Sequence, residues 1–393
     1  MSERDPTVVE LGDDFPEIRT AIQAICKRFP GDYWRALEDK AAYPDEFVGA
    51  LTKAGYLAAL IPEEYGGAGL PLRAAAVILE EIHASGCSAG ACHAQMYIMG
   101  TLLRHGSAAQ KQKYLPEIAA GRLRLQAFGV TEPNTGSDTT QLRTRAVRDG
   151  DHYVITGQKV WISRARQSDL LLLLARTKPL EEVTKRSDGL SVFLIDMREA
   201  VGHGLEIRML DAMINHQTTE LFFDGLRIPS DNLIGEENRG FRYILDGMNA
   251  ERILVASEAI GDARFFIRKA AAYASERVVF GRPIGQNQGV QFPIARAYAE
   301  TRAADLVNRS AAALFSAGRD CGEEANLAKL LASEATWHAG DTAMQTHGGF
   351  GFAREYDIER KWRDTRLFQI APISTNLILS YLGEHVLGMP RSY

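Results

Sequence analysis

The spacing of hydrophobic and polar positions changes twice along the chain. Between about residues 15 and 122, segments such as Ala74–Ile82 and Gln95–Leu103 place apolar side chains three and four positions apart, which predicts amphipathic helices. Pro44 precedes two acidic residues and indicates the start of a further helix. The glycine-rich stretch Pro62–Pro71 interrupts this pattern and is predicted to be a loop.

Short apolar segments separated by turn residues follow from about residue 124 to residue 236. They are predicted as strands, in chain order His152–Ile155, Gly157–Ile162, Leu170–Ala175, Ser191–Ile195, Glu220–Phe223 and Leu226–Pro229. A turn is expected between the first two strands, and Asp224 and Gly225 are expected to form a turn between the last two. Many short strands favour a small antiparallel β-barrel or sandwich.

The helical period returns at Gly240 and continues to the end of the chain. Gly240–Tyr273, Val290–Ala317 and Glu323–Gln345 are long and amphipathic, as expected of a four-helix bundle. The predicted fold class is therefore α+β. It comprises an N-terminal α-helical domain (1–123), a central β-domain (124–236) and a C-terminal helical bundle (237–393).

Composition narrows the possible classes of protein. The 393 residues carry a net charge of −5, which gives no reason to expect a nucleic-acid partner. The longest apolar stretch, Leu170–Ala175, is too short to cross a membrane. Neither the polar segment Met1–Pro6 nor the C-terminal tripeptide Arg391–Tyr393 resembles a targeting signal, so a cytoplasmic location is expected.

The four cysteines are scattered along the chain, at Cys26, Cys87, Cys92 and Cys321. A chain of this length without an export signal is not expected to use them as a disulfide framework. Cys87, Cys92 and His93 are close in sequence, but their spacing matches no zinc pattern. No metal site is predicted.

Two glycine-rich segments do not form a nicotinamide-binding fingerprint. His347–Phe352 follows a predicted helix, whereas the fingerprint follows a strand and opens a helix. Gly66–Gly69 has the wrong glycine spacing. A flavin bound in another way remains open.

Four sequence blocks resemble the signatures of the acyl-CoA dehydrogenase family. They are Ala127–Asp138 (AFGVTEPNTGSD), Gly157–Ser163 (GQKVWIS), Glu276–Ile284 (ERVVFGRPI) followed by Gln288, and Gln345–Gly351 (QTHGGFG), with mild departures at Thr135 and Ser163. Their order and spacing agree with the family along nearly the whole chain. The resemblance implies an FAD enzyme that desaturates an acyl-CoA thioester between its α- and β-carbons, passes electrons to an electron-transfer flavoprotein and forms a homotetramer.

The resemblance also implies which residues hold FAD, with a neighbouring subunit completing the site. Those expected around the isoalloxazine ring are Phe128, Val130, Thr131, Trp161 and Ser163, with Gly136 and Ser137 near phosphates and Ser374 near the flavin. The neighbouring subunit is expected to contribute Arg277, Phe280 and Gln288 near the adenosine diphosphate half, together with Gln345, Gly348 and Gly349. Hydroxyls and backbone N–H groups suit the ring edge, and a guanidinium suits a pyrophosphate.

The catalytic base is expected to be a carboxylate whose pKa is raised in a dry site, because it must remove an α-proton from a thioester. Most family members carry this base near the C-terminus, at the position that aligns with Pro372, next to Ala371. Neither residue can accept a proton. The isovaleryl and long-chain types place the base on a bundle helix, just before an arginine. The base then corresponds here to Glu251, and the arginine corresponds to Arg252. An exposed helical glutamate is the alternative interpretation of Glu251.

Pro372 also lacks the backbone N–H that holds the thioester carbonyl in the family, so either another amide serves or the carbonyl is handled differently. The resemblance implies that Ser137 and Arg252 contact the substrate. It places Ala89, Gly90 and His93 on the helix face that lines the acyl pocket, where small residues suggest room for a branched or bulky acyl group. His93 either touches a polar acyl end or is a buried histidine of the core.

Three functional hypotheses remain open. The first is acyl-CoA dehydrogenation. The second, kept open by Pro372, is a non-dehydrogenating elimination on an acyl-CoA, as in a desulfinase. The third is a non-catalytic CoA-binding scaffold, which the retained flavin blocks disfavour.

Overall fold

The computed structural model describes residues 14–391. The terminal segments 1–6 and 392–393, on which the targeting prediction partly rests, therefore lie outside the described residues. The chain divides into two compact units. One unit contains the residues up to Ala36, Pro71–Ala89 and everything from Asn249 onward, and the other contains Leu37–Leu70 and Gly90–Met248.

Helices occupy both ends of the described chain. Their bounds are α1 Pro16–Cys26, α2 Gly31–Asp39, α3 Asp45–Lys53, α4 Leu72–Ala84, α5 Gly90–His105, α6 Ala108–Ala119, α7 Met197–Ala200, α8 Gly240–Glu276, α9 Gln288–Ser316, α10 Gly322–His347, α11 Ile358–Thr365 and α12 Thr375–Tyr381. The predicted helix start after Pro44 and the three long C-terminal helices are confirmed, with bounds that shift by three residues or fewer. No helix among residues 14–391 is long and apolar enough to span a membrane.

The strands are β1 Leu125–Gly129, β2 Arg145–Asp149, β3 His152–Ser163, β4 Leu170–Arg176, β5 Leu190–Asp196, β6 Leu205–Met209, β7 Thr218–Pro229, β8 Leu233–Ile234, β9 Val278–Val279 and β10 Arg282–Pro283. The first eight form one sheet in the order β6-β7-β3-β2-β4-β5-β8, and β1 pairs with β4. The closed, antiparallel barrel among the predicted alternatives is wrong. The sheet is open because its edge strands, β6 and β8, do not pair with each other, and β8 has only two residues. The sheet is also not purely antiparallel, because β1 runs parallel to β4.

Two predicted turns are instead irregularities within long strands. β3 continues through Gly157, whose φ of 151° is rarely adopted by other residues and whose added Cβ would lie 2.6 Å from Thr144 Cα. β7 continues through Asp224 and Gly225, where the register with β3 shifts. Glycine and the Asp-Gly pair therefore mark bulges here, because both strands remain paired on either side.

The apolar run in β4 is buried on both faces of the sheet. Leu170, Leu172 and Leu174 join a core with residues of α5 and α6, whereas Leu171 and Leu173 join a second core with residues of β3 and β7. Burial on both faces explains why this strand shows no alternation of polar and apolar residues.

The helical unit has its own core, to which α8, α9, α10 and α11 contribute. Phe266 of α8, Ala297 of α9, Ala339 of α10 and Ile358 of α11 are all fully buried in it. Small alanines allow these helices to approach closely around the larger phenylalanine.

Candidate active site

A buried ion pair fixes the loop that leaves β1. Lys159 of β3 is fully buried, and its Nζ donates to the Glu132 carboxylate and to the Val130 carbonyl, each at 2.9 Å. Glu132 also accepts the backbone N–H groups of Arg143 (2.7 Å) and Thr144 (2.9 Å). Sequence analysis assigned no role to this pair, although both residues lie inside the quoted blocks.

The electrostatics of the pair follow from burial and charge. Burial lowers the pKa of Lys159 to about 8, against the opposing effect of Glu132. Burial alone raises the pKa of Glu132, but the Lys159 ammonium and the donated N–H groups bring it below its ordinary value. Loss of either partner would therefore leave a buried charge without compensation, which destabilises the folded protein.

The ion pair lies among several residues predicted to surround a flavin. Val130 and Thr131 follow β1, and the Thr131 carbonyl accepts the Val160 N–H at 2.9 Å. Val160 immediately precedes Trp161, which is 59% exposed and has a φ of 62° at a register shift of β3. Ser163 is half-buried and pairs with Thr218. An accessible indole beside half-buried hydroxyls suits an aromatic ring with a polar edge.

Gly136 and Ser137 lie in the exposed loop after this region. A short β-bridge between Glu132 and Thr135 turns the chain just before them. A Cβ added at Gly136 would meet no atom within 4 Å, so the loop leaves open space at the position predicted to face phosphates.

One face of α5 is partly accessible while the rest of the helix is largely buried. This face contains Gly90, His93, Tyr97 and Gly100, at helical spacings of three and four. The His93 and Tyr97 rings are 4.9 Å apart, and Tyr97 packs edge-on against Phe128 of β1 at 5.7 Å. These contacts connect His93, predicted for the acyl pocket, through Tyr97 to Phe128, predicted for the flavin wall.

The expected room at Gly90 is largely taken by an arginine that sequence analysis missed. A Cβ at Gly90 would lie 2.5 Å from Arg164 Nη2. Arg164 follows Ser163, has a φ of 58° and is only 6% exposed. Ala89 is fully buried, and its N–H donates to His83 Nε2 at 3.1 Å. The small residues therefore accommodate protein atoms, which weakens the argument for a bulky acyl group.

The helical unit contains a cavity of about 570 Å³ lined by four residues that a neighbouring subunit was predicted to contribute to the FAD site. These are Arg277, Gln345, Gly348 and Gly349, accompanied by Tyr273 and Phe350. The Arg277 guanidinium lies 5.9 Å from the centre of the Phe350 ring. A cation, an amide and two glycines around an open cavity fit a pyrophosphate and its sugar.

Three other predicted cofactor residues of this unit lie outside the cavity lining. Phe280 is fully exposed, with a φ of 53°, and Gln288 is the exposed first residue of α9. The hydroxyl of Ser374 accepts the Leu377 N–H at 3.3 Å and so caps α12.

Glu251 lies on α8 and is only 5% exposed, so the alternative of an exposed helical glutamate is wrong. Arg252 donates to the Asn249 side chain at 2.9 Å. Burial lowers the pKa of Arg252, and the neighbouring Glu251 opposes this effect. A carboxylate removed from water in this way is a suitable candidate for a general base.

The segment at Pro372 is held by backbone and lysine contacts. The Ala371 N–H donates to the Leu367 carbonyl at 2.9 Å, so this amide is already engaged. Lys329 Nζ donates to the Ile373 carbonyl at 2.6 Å. Among residues 14–391 no group of three or more histidine, cysteine or acidic side chains is arranged to hold a metal ion.

Comparisons with known proteins match nearly the whole length of the chain. Models of three acyl-CoA dehydrogenase domains match the chain, namely the N-terminal domain at residues 13–122, the middle domain at 127–226 and the C-terminal domain at 238–386. The acyl-CoA dehydrogenase fadE12 of Mycobacterium bovis is 33% identical over 379 residues, which cover 96% of each chain.

Two further matches bear the name glutaryl-CoA dehydrogenase. The enzyme of Desulfococcus multivorans is 34% identical over 88% of this chain and 90% of its own. A solved glutaryl-CoA dehydrogenase in complex with glutaryl-CoA superposes with a TM-score of 0.90 at 30% identity and covers 98% of both chains. The chain therefore belongs to the acyl-CoA dehydrogenase family of flavoprotein oxidoreductases.

Proposed function

We propose that the protein is an FAD-dependent acyl-CoA dehydrogenase whose catalytic base is Glu251. The observation that carries the proposal is the burial of this carboxylate on α8, in a chain with Ala371 and Pro372 at the usual base position. In the proposed reaction the α-C–H bond breaks and its proton moves to a Glu251 carboxylate oxygen. Bound FAD supplies the acceptor for the hydride that leaves the β-carbon.

The cofactor is proposed to be held by the two groups of residues described above, with the second group contributed by another subunit of a homotetramer. Phe128, Val130, Thr131, Trp161 and Ser163 surround the ring in this proposal, with Gly136, Ser137 and Ser374 nearby. Arg277, Phe280, Gln288, Gln345, Gly348 and Gly349 hold the adenosine diphosphate half. The three sequence segments 1–123, 124–236 and 237–393 are proposed as the functional domains, and an electron-transfer flavoprotein as the electron acceptor.

The acyl group is proposed to lie along the accessible face of α5, with its end toward His93 and Arg164, while Ser137 and Arg252 contact the rest of the CoA thioester. Arg164, whose guanidinium lies against Gly90, supplies a positive charge at this end, and this charge favours an acyl group that ends in a hydrogen-bond acceptor. Glutaryl-CoA, named in the two relatives above, is one thioester of this kind.

A non-dehydrogenating elimination on an acyl-CoA is the second candidate. It is favoured by Pro372, which lacks the N–H that stabilises an enolate-like carbonyl in the family, and by the engagement of the Ala371 amide. The two candidates differ in one consequence, because only net dehydrogenation transfers electrons to the cofactor.

Anaerobic addition of acyl-CoA thioesters to the purified holoenzyme tests the proposed function. We expect a yellow protein whose flavin absorbance falls with at least one member of a panel that pairs each alkyl thioester with a chain-matched ω-carboxyl thioester. The ω-carboxyl members should react faster. Product formation without loss of flavin absorbance would establish the elimination, and a colourless protein that cannot take up FAD would contradict both candidates.

Replacement of Arg277 tests the proposed adenosine diphosphate site. Arg277→Ala removes the cation from the cavity and should lower FAD occupancy after gel filtration by at least tenfold at limiting FAD, since charge-assisted contacts to phosphate are among the stronger hydrogen bonds. The matched control is Arg227→Ala, which removes an arginine of β7 whose side chain is 54% exposed and paired with Asp149. Equal occupancy in the two variants would remove Arg277 from the site.

A further inference from the structure

His347 has one ring nitrogen without a protein partner in the cavity of the helical unit. It is the last residue of α10 and is only 4% exposed. Its Nδ1 lies 2.8 Å from the Ala343 carbonyl oxygen, and because a carbonyl can only accept a hydrogen bond, Nδ1 must carry the hydrogen. The other nitrogen, Nε2, has no hydrogen-bond partner among residues 14–391, yet it is not enclosed by protein atoms, and His347 is part of the cavity wall. The proposed function assigns this nitrogen no role.

The imidazole of His347 is held neutral and in one orientation. Burial lowers the pKa of His347, and the Lys269 ammonium of α8 adds to this effect, whereas the hydrogen bond to the Ala343 carbonyl opposes it. The Tyr273 ring of α8 stacks on the imidazole at 4.3 Å, and the Tyr356 ring meets it edge-on at 5.7 Å. In a neutral imidazole whose Nδ1 carries the hydrogen, Nε2 is a hydrogen-bond acceptor.

The cavity therefore offers two opposite kinds of hydrogen-bonding group. Arg277 can only donate, which suits phosphate oxygens, whereas Nε2 of His347 can only accept and so repels them. A hydroxyl or amino group, which donates, suits Nε2. Gly348 and Gly349 leave open space beside His347, because a Cβ added at either glycine would meet no atom within 4 Å. A diphosphate attached to a nucleoside presents both kinds of complementary group in one ligand.

We propose that His347 is a specificity-determining residue of the cofactor site, whose Nε2 accepts a hydrogen bond from a ribose hydroxyl or the adenine amino group while Arg277 holds the diphosphate. This inference rests on the proposed adenosine diphosphate site. It assigns the nucleoside to His347, and it gives a reason for the site to prefer FAD over a flavin that lacks the adenosine half. His347 takes no part in proton abstraction.

Competition for the cofactor site tests this assignment. FAD occupancy of the full-length holoenzyme is followed by equilibrium dialysis against increasing ADP or inorganic pyrophosphate, and each inhibition constant is corrected for the FAD affinity of the variant. His347→Phe keeps an aromatic ring against Tyr273 and removes the acceptor. We expect it to weaken the ADP constant by roughly tenfold, as for the loss of one hydrogen bond, and to leave the pyrophosphate constant unchanged. Arg277→Ala should weaken both constants.

Two analogues identify the donor group in the wild-type protein. Inosine diphosphate lacks the adenine amino group, and 2′,3′-dideoxy-ADP lacks both ribose hydroxyls, so the analogue that competes less well than ADP identifies the group at Nε2. His347→Gln retains a carbonyl acceptor and should bind ADP more tightly than His347→Phe.

The outcomes separate this inference from the proposed function. An unchanged ADP constant in His347→Phe, with both constants weakened in Arg277→Ala, would overturn the inference and leave the proposed site intact. Unchanged constants in both variants would contradict the proposed site, and the inference with it. Should His347→Phe fail to fold, the wild-type protein decides, since equal competition by ADP and its two analogues would show that no donor of the nucleoside is recognised.

Discussion

Glu251→Gln should slow the loss of flavin absorbance on addition of substrate by more than about 100-fold, while FAD and acyl-CoA still bind. A factor of about 100 is the lower end of the rate enhancement that a positioned general base contributes. The amide keeps the shape of a side chain that is only 5% exposed and removes its basicity. Anaerobic stopped-flow measurement reads this step before any electron acceptor is involved. The wild-type rate should rise with pH as the carboxylate ionises, and the variant should lack this dependence.

Glu258→Gln provides a matched control for this experiment. Glu258 lies on the same helix, is also 5% exposed and is 3.8 Å from His83 Nε2, so the same chemical change is made in a similarly buried environment. The control variant should retain the wild-type rate even if its stability decreases. Near-wild-type bleaching in Glu251→Gln, or an equal loss in both variants, would show that the base lies elsewhere.

The sequence predicts the elements of this fold better than the contacts of its site. Helical periods and apolar runs are local properties, so α8, α9 and α10 follow from residue spacing and β4 follows from its unbroken apolar run. The continuity of β3 through Gly157 cannot be predicted from the local sequence, because a glycine between two apolar segments indicates a turn and a bulge equally well. The pairing that distinguishes them involves β2 and β7, which lie elsewhere in the sequence.

The missed residues of the candidate site share a physical reason. Lys159, Arg164 and Lys329 are cations, and a cation in a sequence is most often a solvated surface residue. Their partners are distant along the chain, as with the 44 positions between Lys329 and Ile373. One local signal was present, since Lys329 shares the buried face of α10 with Ala325, Ala332 and Thr336 at helical spacing. A cation on a buried face is costly unless it has a role there.

The largest expected effect on stability is that of Glu132→Gln, which leaves the Lys159 ammonium buried without its carboxylate. Removing one partner of a buried ion pair typically costs about 3–5 kcal/mol, and the loop that contains Val130 and Thr131 should lose its anchor, so FAD retention should fall as well. Thermal and urea unfolding measure the first effect, and flavin content measures the second. Asp149→Asn, which breaks the exposed pair with Arg227, should change stability by no more than about 1 kcal/mol.

A second substitution distinguishes loss of charge compensation from loss of packing. Glu132→Gln combined with Lys159→Met removes both charges, so the double variant should be more stable than Glu132→Gln alone.

The difference in stability between the single and the double variant should also depend on pH. The pKa of Lys159 is lowered in the folded protein to about 8 from 10.5, so the unfolded chain binds more protons between these values and stability rises with pH across that window. Without Glu132 the pKa of Lys159 in the folded protein falls further, so the pH range in which stability rises with pH extends to lower pH. The stability gap between the single and double variants should therefore narrow as the pH increases from 7 to 10, and a gap that stays constant would show that the buried ammonium is not the cause.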